Sequence, residues 1–139
     1  MSTARRVISL AVLFLLLGPP ILAAQEAFRP PDPSEAMTAR ARWLADQFTA
    51  EPQPPDSAFA DQFLQQVPKA RLTRILQQYH GGLGPVTRVE PVGPMTERVW
   101  VFRFHFERGR AALIQIGIDA EAPHRIRSLL IGQDAAPGG

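Results

Sequence analysis

The chain has no cysteine, one lysine (Lys69), one tyrosine (Tyr79) and no unbroken apolar run long enough to span a bilayer. The missing cysteine excludes disulfide staples and a lipid-anchored leader, so a hydrophobic core must supply the stability. No strand-to-helix glycine loop of the kind that cradles phosphate is present. The mature serines, Ser34, Ser57 and Ser128, have no lysine three residues on, so they form no Ser-Lys nucleophile motif. His80, His105 and His124 lie far apart in the sequence and do not have metal-ligand spacing.

What is present begins with an address. Arg5-Arg6 precede an apolar run over residues 7–17, Gly18-Pro19-Pro20 interrupts it, and small residues end at Ala24. The run is about half the ~20 residues a spanning helix needs. A charged start, a short apolar stretch and a small-residue exit read as a signal peptide over residues 1–24. Cleavage is expected after Ala24, with Ala23 and an uncleaved anchor as alternatives. The expected location is extracytoplasmic, periplasmic or secreted, with no stable membrane span after cleavage. About 115 residues then remain, enough for one domain. Loss of Arg5 and Arg6 brings the 15 basic residues level with the 13 acidic ones. A neutral mature chain lacks the positive field that nucleic acid requires, so no nucleic-acid partner is expected.

Residues 25–33 are polar and proline-rich and read as a flexible lead. Asp32 as cap, Pro33 at the first helical position and Glu35 three residues after the cap predict a helix start. Met37, Ala41, Leu44 and Phe48 make its apolar stripe, and it is expected to end near Ala50. A second, short helix is expected from Asp56-Ser57, carrying Phe59, Phe63, Leu64 and Val67. A third follows Pro68, with Leu72, Ile75, Leu76 and Tyr79 on one stripe and Gly81-Gly82 as its left-handed stop. The glycines follow a helix rather than precede one, so a helix stop is preferred there to a phosphate site.

After Gly84-Pro85 the period changes from 3.6 to 2. Residues 86–92 predict an edge strand weakened by Pro91, with Gly93-Pro94 as the following turn. Residues 97–107 predict a long strand with Trp100, Phe102, Phe104 and Phe106 on one face. Val99, Val101, Arg103, His105 and Glu107 take the other. Arg108-Gly109-Arg110 predicts a hairpin, residues 111–119 a return strand with Ala112, Ile114, Ile116 and Ile118 alternating, and residues 125–131 a last strand. Residues 133–139 read as a flexible tail, which leaves one α+β domain over residues 34–132.

Trp43-Leu44, the run from Ser57 to Pro68, Leu76, Gly84-Pro85, the aromatic strand and residues 126–131 together resemble a known module. The resemblance is to the N-terminal domain that precedes β-lactamase-type serine hydrolases of the clavulanate-cluster group, and it covers residues 36–132. It implies the cystatin-like or nuclear-transport-factor-2-like cone: N-terminal helices packed in the concave face of a curved antiparallel sheet. That fold is shared with steroid isomerases and polyketide cyclases. The hydrolase domain of the group would begin where this chain ends, at Gly139. No hydrolase residue carries over, and the resemblance implies a free-standing accessory domain or a member of the wider fold with its own pocket.

Two functional readings follow. The first is an exported, non-catalytic binding or assembly module, with no cofactor and no metal. It would use the outer sheet face: Val99, Val101, Leu113, Leu129 and Ile131 among Arg103, His105 and Gln115, with Arg125 and Arg127 extending the charge. Its partner would be a second copy or a separate exported protein. The second is a small pocket enzyme or ligand carrier of the steroid-isomerase or polyketide-cyclase kind, with Trp43 and Tyr79 lining the pocket. Aromatic residues at the inward positions of the long strand fill the space such a pocket needs. His124 beside Asp119 and Glu121 reads as a solvated turn rather than a metal site.

Overall fold

The computed structural model describes residues 31–133. The expected signal peptide with its cleavage point at Ala24, most of the lead and nearly all of the tail lie outside the described residues. Residues 32–133 form one compact unit.

Helix α1 spans Glu35–Asp46. Ser34, not Asp32, is its cap: the Ser34 hydroxyl accepts from the Met37 N–H at 3.2 Å. Pro33 therefore precedes the cap, and the helix begins two residues later than expected. It stops at Asp46, and Phe48 enters the core from the turn beyond, only 1% exposed.

The expected second helix is broken in two. A single 3-10 turn covers Asp56–Ala58, and α2 covers Asp61–Gln66. Between them Phe59 is extended and bridges to Ile126 in parallel, with the Ala60 N–H donating to the Ile126 carbonyl at 2.9 Å. Pairing with the sheet overrides local helix preference there.

Helix α3 spans Lys69–Leu83 and runs straight through Gly81-Gly82. The stop is Gly84, an extended residue with positive φ (+82°), whose N–H donates to the His80 carbonyl at 2.8 Å. Arg108 explains the extra turn. Its Nη1 donates to the Gly81 and Gly82 carbonyls at 3.1 and 3.0 Å, and its backbone N–H donates to the Leu83 carbonyl. A cationic side chain thus satisfies carbonyls that a helix end leaves open.

Four strands form an antiparallel sheet in the order β1-β2-β3-β4: Val86–Thr96, Val99–Phe106, Ala111–Ile118 and Ile126–Gln133. Gly93-Pro94 does not turn the chain. β1 continues through it to Thr96 and the chain reverses at Glu97-Arg98. Register shifts at Pro91/Gly93 and Pro94/Thr96 absorb the irregularity, and an edge strand tolerates the two prolines.

The inner face is as the alternation predicts. Trp100, Phe102, Phe104 and Phe106 are buried with Ala112, Ile114, Ile116 and Ile118, and together with Met37, Ala41, Leu44, Phe48, Leu72 and Leu76 they form one core. Phe48 meets Phe104 and Phe106 edge-on, with ring centroids 6.0 and 5.4 Å apart. The architecture is α+β, helices packed against an open antiparallel sheet.

β4 corrects one expectation. Ile131 lies opposite Ile114 and Leu129 opposite Ile116, so both face the core rather than the outside. A register shift opposite Gly117/Ile118 inserts Arg127 as an extra residue. One inserted residue moves every later side chain to the other face. Leu130 takes the outer position, 64% exposed.

Candidate functional site

The outer sheet face is built from alternate residues of four strands. The pairing sets Arg88 beside His105 and Ala111, and Glu90 beside Arg103, Leu113 and Gly132. It sets Gly93 beside Val101, Gln115 and Leu130, and Thr96 beside Val99, Gly117 and Ser128. Val101, Arg103, His105 and Leu113 thus lie on one face as expected, each half-buried, and Ile131 does not join them.

Charge collects at one side of this face around Glu90. One of its carboxylate oxygens accepts from Arg103 Nη1 at 3.1 Å and lies 2.9 Å from His105 Nε2; the other lies 3.8 Å from Arg88 Nη2. These donors hold the Glu90 carboxyl below its ordinary range, the His105 hydrogen bond first and Arg103 second. Arg88 Nη2 also lies 3.1 Å from His105 Nε2. That nitrogen can accept from Arg88 or donate to Glu90, but one protonation state cannot do both.

Beside this knot the face mixes apolar residues with Gln115, Thr96 and Ser128. Val99, Val101 and Leu113 are half-buried and Leu130 is exposed. Gly117 lies among them, and a side chain there would run into the Ser128 hydroxyl and crowd Val99. Sequence reasoning missed Arg88, Glu90 and Leu130. The i, i+2 spacing of Arg88 and Glu90 could have signalled the first two, whereas Leu130 depended on the bulge.

Other expected residues fall elsewhere. Glu107 lies past the end of β2, exposed, with its N–H donating to the Pro85 carbonyl. Arg125 precedes β4, and its Nε is buried without a partner. Arg127 pairs with Asp119 at 3.2 Å and lines an open cleft of about 330 Å³ with Gln62, Gln66, Arg98 and Ser128. Neither Trp43 nor Tyr79 lines that cleft. Trp43 packs edge-on against Phe59 with Arg40 over its ring, and Tyr79 stacks on Phe106. The structure does not bring the two into a shared pocket; both are packed against the core. His124 is held by the backbone, its Nδ1 3.0 Å from the Asp119 carbonyl. Among the described residues no three His, Asp or Glu side chains group as metal ligands, and no helix is long and apolar enough to cross a membrane.

Comparison with known proteins finds no matching family model, no matching curated protein and no matching solved structure. The chemistry of the site must therefore be argued from its own side chains. A carboxylate held by three bases offers charge-assisted hydrogen bonding, and the neighbouring valines and leucines offer apolar contact.

Proposed function

We propose that the chain is an exported, non-catalytic association module whose outer sheet face binds another protein. The observation that carries this reading is the composition of that face: Val101, Leu113 and Leu130 surround Gln115, a larger apolar share than a plainly solvated sheet face would carry. The Arg88–Glu90–Arg103–His105 knot lies to one side. An apolar centre with a charged margin is the anatomy of a protein interface. The margin would set register and partner choice more than affinity. The packing of Trp43 against Phe59 and of Tyr79 against Phe106 supports the same reading, because the two rings are taken up by contacts with the core and share no pocket. The aromatic strand against the helices also supports kinship with the cone-shaped accessory domain, which we retain as part of the proposal.

The test is the double variant Val101→Glu/Leu113→Lys. Both positions are on the outer face, so the fold should persist by circular dichroism. Binding to an exported partner, read by co-purification and light scattering, should be lost. A folded double variant that behaves as the parent in both measurements would refute the reading.

A further inference from the structure

The two edges of the sheet are built differently. β1 carries Pro91 and Pro94 and three register shifts, features that block strand addition. β4 has no proline and a single shift, at Arg127. Beyond its shift at Arg127 it reads Ser128-Leu129-Leu130-Ile131-Gly132, without proline or charge. One side of this strand pairs with β3. On the other side, among the described residues, backbone pairing ends at Ile126, where Phe59 and Ala60 close the slot. The row of backbone groups from Ser128 onward is left as a template for one more strand.

We propose that the occupant is β4 of a second copy, antiparallel, about a two-fold axis at Leu130. The segment is complementary to itself. Antiparallel pairing about Leu130 sets Leu130 against its counterpart, Leu129 against Ile131, and Ser128 against Gly132. Apolar side chains meet apolar ones, small residues meet small ones, and no like charges are opposed. The faces also agree. Leu129 and Ile131 already pack against the core, so the inner apolar layer would continue from one copy into the next. Leu130 and Ser128 lie on the outer face, and the 64% exposure of Leu130 would fall in the dimer. The Phe59 bridge limits the slot at the Ile126 end, and by symmetry the partner's bridge limits it at the other. The free stretch is then centred on Leu130. A two-fold interface of this kind is closed and joins the two four-stranded sheets into one.

Cysteine cross-linking reads the register directly, because the chain has no cysteine of its own. Leu130→Cys in the full chain should form a covalent dimer under mild oxidation, since residues opposed across strands lie within disulfide reach of about 5.5 Å. Ser128→Cys alone and Gly132→Cys alone should not, because each is offset from its own counterpart by about 13 Å along the strands. Mixing these two variants should yield the mixed dimer. Gly132 accepts the added side chain, since its nearest neighbour would be the Leu113 carbonyl at 3.8 Å. Amide exchange at residues 128–132 should slow as concentration rises. The Val101→Glu/Leu113→Lys variant should still cross-link through Leu130→Cys, which separates edge pairing from the outer-face reading. Protection of these amides independent of concentration would mean that residues 1–30 of the same chain cover the edge, and would overturn the proposal. Failure of Leu130→Cys to cross-link, or equal cross-linking by Ser128→Cys alone, would also overturn it.

Discussion

Truncating Phe104 to alanine tests the assignment of the two sheet faces most severely. Phe104 is fully buried, lies opposite Ala112 on β3 and Val89 on β1, and meets Phe48 with ring centroids 6.0 Å apart. A buried phenylalanine removes about 150 Å² or more from water. At about 25 cal/mol per Å² that is roughly 3–4 kcal/mol. Phe48, Phe102 and Ile114 are fully buried in the same core, where close packing leaves side chains little room to shift. They can collapse only partly into the space, which brings the expected cost to about 3–5 kcal/mol. That is a large share of the roughly 5–15 kcal/mol that holds a domain together. A urea titration followed by circular dichroism should show the midpoint falling by about 2 M or more, given a slope near 1–2 kcal/mol/M. Phe102→Ala should behave alike, and Val101→Ala, one residue away on the outer face, should cost under about 1.5 kcal/mol. A loss below about 1 kcal/mol for Phe104→Ala would mean that the strand has been read inside out.

The Glu90 knot predicts a pH dependence. A carboxyl held below its unfolded value contributes stability that is present above that value and is lost as pH falls through the folded one. The parent should therefore lose more thermal stability than Glu90→Gln as pH is lowered through and below about 4.3, and equal slopes in the two melting series would rule the linkage out. N-terminal sequencing of extracytoplasmic material should begin at Ala24 or Gln25, whereas an intact Met1 on cytoplasmic protein would refute export.

The charged knot shows how a site can be half legible. Arg103 and His105 declare a shared face through their spacing on one strand, because strand side chains alternate. Their common partner, Glu90, comes from β1, and which β1 residue stands opposite depends on three register shifts that no local pattern announces. The glycines teach the same lesson. Gly81-Gly82 has the composition of a helix stop, yet Arg108 on the β2–β3 hairpin holds those carbonyls and carries the helix on to Gly84. At Gly93-Pro94 the edge position of β1 lets a turn-like dipeptide remain in a strand.

Periodicity by itself determined the order of elements, the α+β class and the buried face of the two central strands. Trp100, Phe102, Phe104 and Phe106 alternate with polar or smaller side chains, and an aromatic face of that size has to be buried. Only the tertiary structure decided where each strand stands in register, and therefore which residues share the outer face. The cause is arithmetical: strand side chains repeat every two residues, so the one extra residue at Arg127 sends Leu129 and Ile131 into the core and leaves Leu130 outside.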